Sequence, residues 1–163
     1  MDRLWSPWRL AYVTKLKSEG GCVFCAAPTD ASSSSLILYE GSTCYVILNL
    51  YPYNNGHVMV VPFRHAGALA SLTSEELQEI AILTQRSEVV LTEAYHPHGI
   101  NVGVNLGKSA GAGVLDHIHV HLVPRWNGDT NFLTVVGSVR VLPEELTQTA
   151  DRLRPIFERL ADS

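Results

Sequence analysis

The chain has 163 residues, 46% of them hydrophobic and 17% charged, with 12 Gly and 8 Pro, which is the make-up of one compact domain and excludes a disordered or collagen-like chain. Its 12 Lys and Arg against 16 Asp and Glu leave a formal net charge of −4, and no basic run occurs, so no nucleic-acid partner is expected. No apolar stretch approaches the ~20 residues of a membrane span and the N-terminus shows no basic-then-apolar leader, so no membrane partner and a cytoplasmic location are expected.

Residues 1–35 read as an irregular N-terminal arm ahead of a domain over 36–163. The arm holds an aromatic and basic segment (Arg3, Leu4, Trp5, Trp8, Arg9), the Cys22-Val23-Phe24-Cys25 pair and a serine run at 32–35. A Cys-x-x-Cys spacing in a chain with three cysteines points to metal or redox chemistry rather than a disulfide framework, and Cys44, inside an apolar run, belongs in the core. Segments 36–40 and 44–48 are apolar and β-branched or aromatic about a Gly41-Ser42 turn, which predicts a hairpin. A third strand over 57–61 follows, closed by Pro62.

Thr73 and Glu76 form a capping-box pattern, and Leu77, Ile80, Ala81, Thr84, Leu91 and Ala94 recur at helical spacing, which predicts a helix over 74–94 with these residues inward. His96-Pro97-His98-Gly99 stops it. A strand over 100–104 leads into the glycine-rich loop 105–113, a strand over 115–123 follows, 124–129 is a turn and 132–136 another strand. Pro143 opens a second helix with Leu146, Leu153, Ile156 and Leu160 inward, which Pro155 should kink or shorten. The expected fold is α+β, an antiparallel sheet with helices on one face.

The strongest chemical signal is Asp116-His117-Ile118-His119-Val120-His121-Leu122. On a strand this alternation lines three imidazoles along one face at roughly 6.5–7 Å, with the apolar residues on the other. Packing explains that poorly, because each buried imidazole needs partners for two ring nitrogens. Two readings compete: a His-x-His metal site, or a neutral imidazole nucleophile assisted by its neighbours. The glycine-rich loop just upstream can turn backbone amides toward an anion, which favours nucleotidyl transfer. Gly107-Lys108-Ser109 is not a nucleoside-triphosphatase loop, since Val102 stands where that motif requires glycine and a strand follows instead of a helix.

The triple-histidine strand followed by Val123-Pro124-Arg125, with Asn49 and Gly56-His57 upstream, resembles the histidine triad family, over about residues 39–132. The Arg3-Leu4-Trp5 arm, residues 49–54 and Pro124-Arg125-Trp126 resemble a bacterial branch containing diadenosine tetraphosphate phosphorylases. The resemblance implies a half-barrel sheet that dimerises, with His119 as nucleophile, His121 on phosphate, His57 supporting the nucleophile and His117 completing the triad. It implies nucleotide contacts from Asn49 on the ribose, from Asn105, from loop residues Gly111, Ala112 and Gly113, and from Trp126. It further implies a zinc site from Cys22, Cys25, His65 and His117, structural because four protein ligands close it. A divalent cation can accompany the polyphosphate substrate.

The implied activity is cleavage of dinucleoside polyphosphates through a nucleotidyl-His119 intermediate, with phosphate favoured slightly over water as acceptor. Where phosphorylases of that branch carry Gly-Ser, this chain has Ala112-Gly113, and the missing hydroxyl keeps water open as acceptor. Phosphoramidate hydrolysis and a nucleotide-binding adaptor are the alternatives.

Overall fold

The computed structural model describes residues 21–129 and 144–161. The strand expected at 132–136, Pro143 and the tryptophans of the arm lie outside them.

The arm is not irregular where it is described: helical turns α1 (Val23–Ala26) and α2 (Ala31–Ser34) cross it, the second capped by the Asp30 carboxylate accepting from Ser33 N–H at 2.9 Å. Each is a single turn, too short to persist on its own propensity, so tertiary contacts hold it.

The sheet strands are β1 (Ile37–Glu40), β2 (Cys44–Leu48), β3 (Val58–Pro62), β4 (Gly99–Val104) and β5 (Val120–Arg125). They form an open antiparallel sheet in the order β1-β2-β3-β5-β4. Helices α3 (Ser74–Tyr95) and α4 (Leu146–Ala161) cover one face, so the α+β expectation holds. Cys44, Val46, Val58, Val60, Val120 and Leu122 point to the helices and join Ile80, Leu83, Val90, Leu91, Leu153 and Phe157 in the main core. On the other face Tyr45, Ile47, Met59 and Val61 make a second cluster with Phe24 and Ala27 of the arm. This second face carries the histidines.

Most element boundaries fall within a residue or two of expectation, and the larger differences have physical causes. β5 enters the ladder at Val120 rather than at 115, because the preceding residues bond elsewhere: Ile118 N–H donates to the Ala66 carbonyl at 2.7 Å. Pro124 lies inside β5, opposite Ile100 of β4 and beyond the end of the β3 pairing, where a missing N–H costs no ladder bond. α4 runs on through Pro155, whose side is exposed.

The inward face of α3 is also rotated from the expected one. Leu77 and Ala81 are exposed, whereas Glu76 and Ser87 are buried. Glu76 is tolerated there because Arg64 donates to both its oxygens at 2.8 and 2.6 Å and it closes the capping box on Thr73 N–H. Ser87 Oγ–H donates back to the Leu83 carbonyl.

Candidate active site

The site is built at the edge of β3 and β5 on the face away from the helices. Gly56 turns the chain into β3 with φ +72°, and its missing side chain lets the backbone close on α3, where a Cβ would come within 2.8 Å of the Tyr95 ring. Residue 57 is thereby delivered beside β5. Met59 pairs with His121 across the β3–β5 ladder, and the rings of His119 and His121 lie 4.7 Å apart and nearly perpendicular, closer than the strand repeat because they lean together.

Hydrogen bonds assign the tautomers. His119 Nδ1–H donates to the His117 carbonyl at 2.9 Å, which leaves the lone pair of the neutral ring on Nε2. Burial pulls the pKa of His119 down, against a smaller opposite push from that bond, so the ring is neutral near pH 7. His57 Nδ1 accepts Tyr53 N–H at 3.0 Å, so a neutral His57 carries its proton on Nε2, 3.0 Å from His121 Nδ1. His121 then carries its own proton on Nε2, in a form suited to donate to an anionic oxygen. Both roles follow from backbone groups.

Asn49, at the end of β2, is buried. Its Oδ1 accepts Tyr51 N–H at 2.9 Å and its Nδ2 lies 3.5 Å from His57 Nε2. It lines a cavity of about 300 Å³ with Ile47, Met59, Leu50, Val23 and Phe24. The walls are mostly apolar with a few polar groups among them, which suits a nucleoside-sized ligand. Phe24 is shared between the cavity and the triad, since its ring lies 4.8 Å from that of His119.

Beside the triad, Cys22, Cys25, His65 and His117 each bring one ligand atom to within 4.8 Å of the others. His117 Nδ1 stands 3.2 Å from Cys22 Sγ and 3.5 Å from Cys25 Sγ, and Cys25 Sγ stands 3.4 Å from His65 Nδ1. Sulfur and nitrogen ligands on a tetrahedral zinc are about 3.6 Å apart, so the set fits that ion. His117 Nε2–H donates to the Pro62 carbonyl at 2.8 Å, which fixes the Nδ1 lone pair toward the sulfurs. His117 therefore turns its ring to this cluster and its carbonyl to His119.

A HIT domain model matches residues 31–128. The chain belongs to the HIT, or histidine triad, family. It is 40% identical over 157 residues to an AP-4-A phosphorylase of Mycobacterium tuberculosis, with 91% of this chain and 80% of that protein covered. It is 31% identical over 130 residues to a bis(5'-adenosyl)-triphosphatase of Dictyostelium discoideum, covering 76% of this chain and 87% of that one. A Zn-bound histidine triad family protein from Mycobacterium smegmatis superposes with a TM-score of 0.70 at 31% identity, covering 87% of this chain and 96% of that one.

Other expected contacts of this HIT chain are distributed unevenly. The β4–β5 register ends with Val104 opposite Val120, and Asn105 follows β4 directly, one residue past that pair. In the glycine-rich loop, Gly111 N–H and Ala112 N–H donate to the carbonyls of Lys108 and Gly107, so those two amides already serve the turn. Gly113 follows them, half-buried. Trp126 meets Tyr95 edge-on at 6.4 Å, and Tyr95 packs on the helix-side core, so this ring has a packing role.

Four contributors escaped the sequence reading: Phe24, the Tyr53 amide, Asn54 and Asp129. Asp129 accepts from Arg125 at 2.6 and 2.9 Å and from Asn54 Nδ2 at 2.8 Å, while Asn54 also donates to the Pro124 carbonyl. Arg125, with Asn54 and the Trp126 amide, holds the Asp129 carboxyl well below the ordinary range. This clamp ties the loop ahead of His57 to the end of β5. A carboxylate four residues after an arginine was the available signal.

Proposed function

We propose that this chain cleaves dinucleoside polyphosphates of the diadenosine tetraphosphate kind through a nucleotidyl-His119 intermediate. The observation that carries the reading is the His119 Nδ1–H bond to the His117 carbonyl, which presents a neutral Nε2 lone pair beside a nucleoside-sized cavity. The His119 Nε2 lone pair attacks the α-phosphorus, a P–N bond forms, and the bond from phosphorus to the bridging oxygen breaks, with its electron pair leaving on the departing polyphosphate. His121 Nε2–H, aligned by His57 and the Tyr53 amide, meets the charge on the phosphoryl oxygens, and family likeness assigns Asn105 and Gly113 to the same group. An oxygen of inorganic phosphate then attacks phosphorus, the P–N bond breaks and its electron pair returns to Nε2.

The nucleoside sits in the cavity with its ribose at Asn49. Zinc in the cysteine–histidine cluster, with four protein ligands, is structural and anchors the arm. The protein is cytoplasmic and homodimeric. Among the described residues no helix is long and apolar enough to cross a membrane.

The likeness to an AP-4-A phosphorylase supports phosphate as acceptor. A hydrolytic reading has support of its own, because the Gly111 and Ala112 amides are committed within the loop and Ala112-Gly113 offers no hydroxyl for an incoming phosphate. Incubation with diadenosine tetraphosphate, with and without inorganic phosphate, separates the two. ADP plus ATP formed with added phosphate marks the phosphorylase. AMP plus ATP as the products even in excess phosphate marks the hydrolase, and intact substrate under both conditions overturns the proposal.

A further inference from the structure

α1 is four residues long and Cys22, at its N-cap, makes no side-chain capping bond. Such a turn does not persist by itself. Three things fix it here: Cys22 and Cys25 at its two ends face the ligand cluster, Tyr45 Oη–H donates to the Phe24 carbonyl at 2.7 Å, and the Phe24 ring is buried against His119 and His117. Between the two cysteines, Val23 and Phe24 form part of the cavity wall, and Ala27 just beyond them extends it. The cysteines thus bracket the residues that would touch a nucleoside, and the cluster's fourth member, His117, holds the Nδ1 proton of His119 through its carbonyl.

We propose that Cys22 and Cys25 are positioning residues for the nucleotide site, so that metal bound between them and nucleotide bound in the cavity strengthen one another. This rests on the nucleotide and zinc readings above. With the sulfurs and imidazoles tied to one ion, α1 is docked and the wall is complete before ligand arrives. Without it the Tyr45 bond and the Phe24 ring alone hold the turn, and a nucleotide must first recruit the docked form. The apparent affinity then falls by the docked fraction, about tenfold if one chain in ten is docked. Linkage makes the effect reciprocal: a saturating nucleotide tightens metal binding by the same factor.

The test needs no turnover. AMP affinity is measured by calorimetry on the chelator-stripped chain and on the zinc-loaded chain, and zinc affinity is measured with and without saturating AMP, with far-UV circular dichroism checking that the stripped chain stays folded. About tenfold or greater coupling, equal in both directions, is expected. Phe24→Ala, which keeps all four ligands but removes the ring that both docks the turn and lines the cavity, should still bind zinc, more weakly than the parent, and lose the coupling. Should the stripped chain unfold, the Phe24→Ala comparison in the loaded form and the dependence of zinc affinity on AMP in Tyr45→Phe carry the measurement, and coupling in Tyr45→Phe should exceed that of the parent. If zinc and AMP both bind and neither alters the other, this inference alone is overturned. If zinc does not bind, the metal reading falls with it, and if AMP does not bind the loaded chain, the nucleotide reading falls with it.

Discussion

One backbone carbonyl decides which nitrogen of His119 can react. Because the Nδ1 proton is committed to the His117 carbonyl and burial disfavours the charged ring, Nε2 is a nucleophile without a separate base to unmask it. His119→Ala should therefore lower turnover of diadenosine tetraphosphate by at least about 10⁴-fold, as loss of a covalent nucleophile does. AMP affinity, read by calorimetry, should stay within a few-fold of the parent, and residual turnover within tenfold of it would remove His119 from the mechanism. Asp129 gives a second residue-level expectation. Its folded pKa is depressed below the ordinary 3.8, first by Arg125, so its stabilising contribution is complete above that pH and shrinks as the pH falls below it. The stability gap between the parent and Asp129→Asn, from urea melts at a series of pH values, should be constant near neutrality and close on the acid side of pH 4. A gap that widens there would contradict the assignment.

At the scale of elements, legibility followed whether the signal was local. Thr73 and Glu76 announce the start of α3 because both capping bonds form within one turn, and both are present. Thr73→Ala should lower the stability by about 1 kcal/mol, seen as a shifted urea midpoint at unchanged slope, while an unchanged midpoint would show the cap to be idle. The alternation of residues 117–122 likewise showed the histidine face. Where partners are distant the sequence was silent or misleading: Glu76 looks like a solvent-facing position until Arg64, twelve residues upstream, is seen beside it. The arm looked irregular because its first helical turn is held by Tyr45, His65 and His117, 20 and more residues away in sequence. The ligand set itself came from family likeness, and its convergence depends on Ile118 bonding to Ala66, which brings His65 to His117. No local pattern encodes that bond.

At the scale of the whole molecule, the sheet ends on β4, whose residues Gly-Ile-Asn-Val-Gly-Val carry no charge and no proline. Soluble proteins blunt an open edge with charge, proline, a bulge or a cover, because an unpaired row of N–H and C=O groups is a template for another strand. Among the described residues no strand pairs with the outer side of β4 and the strand itself carries no charge, with Val102 53% exposed and Leu106 beside it exposed as well. A second copy of the chain, as proposed above, would meet this requirement: two β4 edges related by a two-fold axis would pair antiparallel and give one continuous sheet across an isologous interface. β4 pairs along its other side with β5, which carries His121, so the edge lies one strand away from the triad. The chain is accordingly expected to elute as a dimer, with its mass read by light scattering at micromolar concentration. Val102→Lys, which sets a charge at the edge in each copy, should shift the mass toward the monomer and raise the concentration needed for full turnover. A parent that is monomeric at those concentrations, or a Val102→Lys variant that dimerises as tightly as the parent, would show that β4 is not the interface.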